Sequence, residues 1–367
     1  MENVRVVDIR SDTLTKPTPE MRQAMKDAEV GDDVMREDPT VNDLQKMVTE
    51  LLGKEAALFL PTGTMGNLAA VMAHCYGRGQ EVLIGDQSHI FLNEQGGIAQ
   101  FGGVQSWAVP TQRDGTLRIQ DLEERFRRND FHCPKTSLVC LENTHNFCGG
   151  TVLPLGYLDK VALFKKDHNL PLHMDGSRIM NAAVALDVKP SVVLKDCDSV
   201  NICLSKSLAC PAGSLVAGTQ DFVERVRRIR KGLGGGMRQV GVLAAAGIVA
   251  LKTILPRLHE DHEHAQILAR GVDLKDNPLI LLDLNSVQTN MVIYEFPSDK
   301  LVPSTFCKRL QEVTPQELED LDEAIHVKMS QITMTKARAV FHNDVSRDDV
   351  DAAVKKIRYV VGQLSKD

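Results

Sequence analysis

Asp175 and Lys206 lie 31 residues apart, each just past the end of a short apolar run. The first run, Leu170–Met174 (LPLHM), leads into Asp175-Gly176-Ser177-Arg178. The second, Val200–Leu204 (VNICL), leads into Ser205-Lys206-Ser207. Runs of this length and composition, bounded by turn residues, read as buried strands. The interval between them is that of one strand–helix–strand unit, about 30 residues. Both strand ends then open on the same edge of a parallel sheet, the edge where such sheets bind ligands. Taken singly, Asp175-Gly176 reads as a turn and Lys206 as a strand-end lysine whose stem lies on apolar surface while its amine reaches water. The two at this spacing point to a site.

The same alternation extends along the chain. Ala56–Leu60 enters Pro61-Thr62-Gly63-Thr64-Met65-Gly66-Asn67 and then a helix. Val82–Ile84 leads to Gly85-Asp86-Gln87-Ser88-His89, Gln105–Val109 follows, and Leu138–Leu141 ends in the polar cluster Glu142-Asn143-Thr144-His145-Asn146. Strands alternating with helices up to about residue 250 predict a doubly wound, mostly parallel sheet. Two early helix starts are expected, one at Thr18-Pro19-Glu20 and one at a capping box, Thr40-Val41-Asn42-Asp43. Beyond Leu251 the pattern changes. Capping boxes at Thr314–Glu317 and Ser346–Asp349, with strands at Met291–Tyr294 and Lys336–Phe341, predict a smaller α+β domain. The expected division is a large α/β domain over residues 1–250, with an N-terminal arm over 1–17, and a small domain over 251–367.

Composition narrows the function class. Lys plus Arg number 43 against 49 for Asp plus Glu, a net charge of -6 without a long single-sign block. That leaves nucleic-acid binding unsupported. The basic run Arg225–Lys231 is either a solvated helix face or a phosphate contact. The longest apolar run, Val240–Leu251, contains glycines and falls short of the roughly 20 residues that span a bilayer. The N-terminus carries no apolar signal segment. The eight cysteines form no C-x-x-C pair, so they are expected as free thiols in a reducing compartment and not as metal ligands. The expectation is a cytoplasmic protein with neither a membrane nor a nucleic-acid partner, and no metal.

The residues at the two strand ends carry recognisable chemistry. A lysine desolvated among small residues is suited to Schiff-base formation, because burial favours the neutral amine. With an aspartate and an arginine beside it, the set fits pyridoxal phosphate. The lysine forms the imine, and the carboxylate keeps the ring nitrogen protonated so that the ring accepts electrons. The Pro61–Asn67 turn, opening a helix, is a cradle for an anion such as the cofactor phosphate.

With these residues in view the chain resembles the L-threonine aldolase family, pyridoxal phosphate enzymes of the aspartate-aminotransferase-like fold (fold type I). The resemblance runs nearly the whole length. It is carried by DIRSDTLTKPTPEM, VGDDV, EDPTVN, ALFLPTGTMGN, LENTHN, HMDGSRI, ICLSK, GGGMRQ and LAAAGI in that order. It implies Lys206 as the Schiff-base lysine, Asp175 on the pyridine nitrogen, Arg178 on the ring hydroxyl, Gly63 and Thr64 on the phosphate, and His89 stacked on the ring. Ser11, Arg178 and Arg338 would bind the substrate carboxylate, and His132 would stand near the substrate hydroxyl. Lys231 and Arg238 would reach a cofactor phosphate across a subunit interface, which implies at least a dimer and, for this family, usually a tetramer built as a dimer of dimers. Two departures stand out. Met35-Arg36 occupies the place of the family's Tyr-Gly, and Ser207-Leu208-Ala209 that of Gly-Leu-Gly.

The activity this resemblance implies is retro-aldol cleavage of L-threonine or L-allo-threonine to glycine and acetaldehyde, placing the protein in threonine catabolism and glycine biosynthesis. His89, His132 and a water all remain candidates for the base. The alternatives on the same fold are a β-eliminating lyase, a racemase, and a non-catalytic homologue that keeps the cofactor.

Overall fold

The alternation of apolar strands and helices builds one sheet of seven strands. The structure, a computed structural model of the chain, describes residues 4–128, 130–272, 274, 277–298 and 300–365. In chain order the strands are β1 (Arg5–Asp8), β2 (Ala56–Leu60), β3 (Gln80–Gly85), β4 (Gln105–Val109), β5 (Lys135–Glu142), β6 (Leu172–Asp175), β7 (Ser199–Cys203), β8 (Ser214–Gly218), β9 (Met291–Glu295), β10 (Ile325–Lys328), β11 (Ser330–Thr333) and β12 (Lys336–Val340). The large sheet has the order β2-β8-β7-β6-β5-β3-β4. β8 is antiparallel to both its neighbours, and the other six strands run the same way. Every residue of β2, β7 and β8 is buried, as in sheets covered by helices on both faces. The C-terminal ends of the six parallel strands therefore share one edge.

This sheet belongs to the larger of two compact units, Lys16–Pro256. Its first helix, Pro19–Asp27, starts as expected, with the Thr18 side chain accepting from Met21 N. The second, Pro39–Leu52, is capped by Asp38 and not by a box at Thr40–Asp43. Asp38 accepts from Val41 N and from Gly241 N, while the Thr40 hydroxyl donates to Glu29 O. An aspartate followed by proline at the first helical position outcompetes a threonine one residue further on. Val240–Leu251 falls in the helix Gly241–Thr253, most of whose alanines and glycines are buried. Together with the helix that follows it, the stretch Gly241–Gly271 is long and apolar enough by composition to cross a membrane.

The smaller unit takes the chain up to Thr15 and from Arg257 onward. The N-terminal arm, expected over 1–17 with the large domain, belongs to this unit up to Thr15. β1 pairs in parallel with β10, Arg5 opposite Ile325 and Val7 opposite Val327, and Val7 and Ile9 sit in one core with Ile325, Val327 and Phe341. The alternating Val-Arg-Val-Val-Asp-Ile stretch has one apolar face to cover, and this sheet edge covers it. β11, β12 and β9 form an antiparallel sheet. The helix Arg347–Leu364 opens with the expected capping box, Ser346 with Asp349. Thr314 caps the helix Pro315–Leu321, but Glu317 does not complete a box. Its carboxylate is buried against Lys356 and Arg309.

Candidate active site

Asp175 closes β6, and Lys206 stands three residues beyond the end of β7. The two strands are parallel neighbours, with Asp175 opposite Asn201, so the 31-residue interval does place both groups on one edge. Asp175 is 1% exposed. Its Oδ1 accepts from Ser177 N at 3.1 Å and from Ser177 Oγ at 2.7 Å, and its Oδ2 accepts from Asn67 Nδ2 at 3.0 Å. Burial alone would raise this carboxyl. The positive charges of Lys206 and His89, with the two Ser177 hydrogen bonds, bring it below the ordinary carboxylate value, so Asp175 is an anion at neutral pH.

His89 reaches the same edge as the first residue of the short helix His89–Leu92 after β3. Its backbone N donates to Glu142 Oε2 at 2.6 Å, and the other oxygen of Glu142 accepts from Asn146 N at 2.8 Å. One carboxylate at the end of β5 thus holds two loops. The His89 Nδ1 lies 2.9 Å from Glu94 Oε1. Burial pushes the imidazole down, but the hydrogen bond to Glu94 and the nearby Asp175 carboxylate raise it above its usual value. Glu94 is buried, which raises its carboxyl despite the His89 contact, and its Oε2 has no hydrogen-bond partner among the described residues. His89, Glu94 and Asp175 each bring one ligand-type atom within 4.8 Å of the others. Both Asp175 oxygens and Glu94 Oε1 already accept from N–H and O–H donors, so this is a hydrogen-bonded cluster and a poor nest for a metal ion.

The helix Gly63–His74 begins beside β7. Thr62 caps it by accepting from Met65 N at 3.1 Å. A Cβ on Gly63 would fall 2.5 Å from Cys203 Sγ, so only glycine lets the turn lie this close to the loop bearing Lys206. The first amides of this helix, at Gly63 and Thr64, are where an anion is best received. Arg178 is buried and its Nη1 lies 3.4 Å from Asn146 Oδ1. A buried anionic carboxylate, a strand-end amine and a glycine-opened helix N-terminus on one edge fit the ring nitrogen, aldehyde carbon and phosphate of pyridoxal phosphate.

The remaining expected site residues are divided between the two units. In the smaller unit, Arg338 Nη2 is 3.5 Å from Arg10 O, next to Ser11, whose Oγ accepts from Thr13. His132 is not brought to the Asp175 edge within the chain. It precedes the N-terminal end of β5, whose eight residues separate it from Glu142 by about 26 Å of strand, and it is exposed. Lys231 and Arg238 are exposed, and Arg238 pairs with Asp32 at 2.9 Å. Lys231 lines a 380 Å³ cavity with Arg227, Arg228, Arg230, Val34 and Gly236.

The two sequence departures have structural expressions. Arg36 and Ala209, where the family has glycine, both hold left-handed backbone, at φ 64 and φ 57. Arg36 pairs with Glu224 at 2.6 Å and Met35 is 64% exposed. Ser207 is buried, and its Oγ accepts from Asn181 Nδ2 at 2.9 Å.

Glu94, Asn67, Asn201 and His173 also shape this edge, and the sequence patterns did not single them out. A signal was present for two of them. His173 and Asn201 interrupt otherwise apolar strands, and a polar residue inside a strand buried on both faces needs a partner.

A family model described as beta-eliminating lyase matches residues 8–296. Low-specificity L-threonine aldolase 1 of Arabidopsis thaliana is 42% identical over 349 residues, covering 95% of this chain and 94% of that protein. The low specificity L-threonine aldolase of Escherichia coli K12 is 48% identical over 264 residues, 72% of this chain and 78% of that one. Among solved structures, a Leishmania major threonine aldolase matches with a TM-score of 0.77 at 19% identity, over 97% of this chain and 99% of that one. A structure of SPT with PLP matches with a TM-score of 0.73 at 16% identity, over 97% and 87%. By the family model and these relatives, the chain belongs to the beta-eliminating lyase family, among its threonine aldolases.

Proposed function

We propose that the protein is a pyridoxal phosphate-dependent aldehyde-lyase that cleaves L-threonine and L-allo-threonine to glycine and acetaldehyde. The observation that carries this reading is the anionic, buried Asp175 one strand away from Lys206, with His89 on the same edge. Lys206 would hold pyridoxal phosphate, which when bound would supply a sink for the electron pair released when the Cα–Cβ bond breaks. Asp175 would keep the ring nitrogen protonated, and the amides of Gly63 and Thr64 would receive the phosphate. Arg178 would bind the ring hydroxyl and the substrate carboxylate, and the family resemblance assigns Ser11 and Arg338 to that carboxylate as well. Guanidinium suits that task because its planar fork pairs with both carboxylate oxygens.

His89 is the base. Its Nδ1 is engaged by Glu94, which leaves Nε2 to accept the proton of the substrate β-hydroxyl as the aldehyde forms. A proton returned to Cα completes glycine. Its raised affinity for protons tunes His89 toward neutral pH, where a base is most effective. All eight cysteines are free, which supports a reducing, cytoplasmic setting. The exposed Lys231 and Arg238 support a homo-oligomer, a dimer of dimers, in which they meet a neighbour's phosphate.

The test is product analysis with both threonine diastereomers. Equimolar glycine and acetaldehyde are expected, and Lys206→Ala should abolish both turnover and the visible band of the bound cofactor. A keto acid with ammonia would instead assign the β-eliminating reaction of the wider family. Wild-type turnover in Lys206→Ala would overturn the proposal.

A further inference from the structure

Behind Asp175 lies a row of buried polar side chains that the proposed reaction does not use. Asn67 is 1% exposed, and His173, Ser199 and Asn201 are fully buried. Groups like these are tolerated in a covered sheet only when each donor finds an acceptor.

The direction of every hydrogen bond in the row follows from the carboxylates, which accept. The Asn67 atom 2.8 Å from Glu94 Oε1 and 3.0 Å from Asp175 Oδ2 is therefore the amide nitrogen, giving one hydrogen to each. The Asn67 carbonyl oxygen then accepts from Asn201 Nδ2 at 3.0 Å and from His173 Nε2 at 3.2 Å. With its proton on Nε2, His173 accepts at Nδ1 from the Ser199 hydroxyl, 2.8 Å away. That oxygen accepts in turn from His74 Nε2 at 2.7 Å. From His74 through Ser199, His173 and Asn67 the donors point toward Asp175 and Glu94, while Asn201 Nδ2 also donates to Gly63 O at 3.0 Å. A turned Asn67 amide would set its oxygen against two carboxylates and its NH2 against two N–H donors, so one orientation is enforced. The row requires both imidazoles neutral. Burial, aided by His173, pushes His74 down to about 3, and burial pushes His173 down to about 4.

We propose that Asn67 is a positioning residue whose one amide nitrogen bridges Asp175 to Glu94, and through Glu94 to His89. The carboxylate for the ring nitrogen and the imidazole at the reacting face are thereby set as one unit. This rests on the reading of the site as a pyridoxal phosphate site. The charged and titratable groups around Asp175 are Lys206 after β7, His89 and Glu94 after β3, Cys140 in β5, and His173 in β6 itself. Asn67 touches both carboxylates, from the helix Gly63–His74.

The test uses full-length holoenzyme and two readouts that do not depend on turnover. These are the pH midpoint of the bound cofactor's visible band and the cofactor Kd. Asn67→Asp keeps the shape but cannot donate to both carboxylates and adds a third acid. It is expected to move the midpoint by about one pH unit and weaken cofactor binding about tenfold. His173→Gln still offers an N–H to Asn67 and should hold the wild-type midpoint, while His173→Leu should move it in the same direction as Asn67→Asp. A folded Asn67→Asp protein with wild-type midpoint and Kd overturns the proposal, even if its Tm is lower. Should Asn67→Asp not fold, equal midpoints for His173→Gln and His173→Leu overturn it. A wild-type protein that develops no visible band with pyridoxal phosphate rejects the functional reading instead.

Discussion

His173 makes the stability of this protein depend on pH in a calculable way. It is fully buried in β6, and burial lowers its pKa from 6.5 to about 4, against the pull of Asp175. Between those two values the unfolded chain binds a proton that the folded chain refuses. Stability is therefore complete above pH 6.5 and falls as the pH drops, by about 1.4 kcal/mol per unit. Going from pH 7.5 to pH 5, this one ring removes about 2 kcal/mol. His173→Gln cannot titrate, so it lacks this loss. Other groups titrate in the window, and they are common to both proteins. His262, pushed down to about 4 by burial, adds loss of the same sign. Asp261, pushed up to about 7 by burial and by Asp12, contributes the opposite sign. The measured quantity is thus the difference between wild type and variant in urea unfolding at pH 7.5 and pH 5, at equal protein and cofactor concentrations. The gap should shift by about 2 kcal/mol in favour of the variant at the lower pH. Parallel losses in the two proteins would mean that His173 is protonated in the folded state, and the direction assigned to the row behind Asp175 would fail with it.

Arg230 and Asp33 form a buried ion pair at 2.7 Å, each side chain no more than 3% exposed, and Arg230 also donates to Phe59 O. Arg230→Met leaves the Asp33 carboxylate buried and unpaired, at a cost of roughly 3–5 kcal/mol in urea unfolding, whereas Asp33→Asn retains a hydrogen bond and should cost less. Arg36→Gly and Ala209→Gly relieve left-handed backbone at φ 64 and φ 57 and should each stabilise by about 0.5–1 kcal/mol. The exposed Arg36–Glu224 pair lost in the first contributes little, and an unchanged Tm in both variants would contradict the strain assigned to those residues.

The amino-acid sequence by itself determined the parallel strands, the edge on which their ends meet, and the placing of Asp175 and Lys206 there. Periodicity, turn chemistry and a 31-residue interval act within tens of residues, so they are readable along the chain. Only the tertiary structure decided what surrounds Asp175. Asn67 meets Asp175 across 108 positions, His173 across 106 and Asn201 across 134, and no local pattern encodes a partner at that distance. β1 joined β10 because an apolar face was left to cover, and β8 ran antiparallel between β2 and β7. His132, which the resemblance sets near the substrate hydroxyl, stands at the other end of β5 because a strand carries its two ends to opposite edges of the sheet. Local sequence selects which residues terminate the strands. The hydrogen-bond requirement of polar groups buried between the strands and the helix that covers them selects how those residues are held.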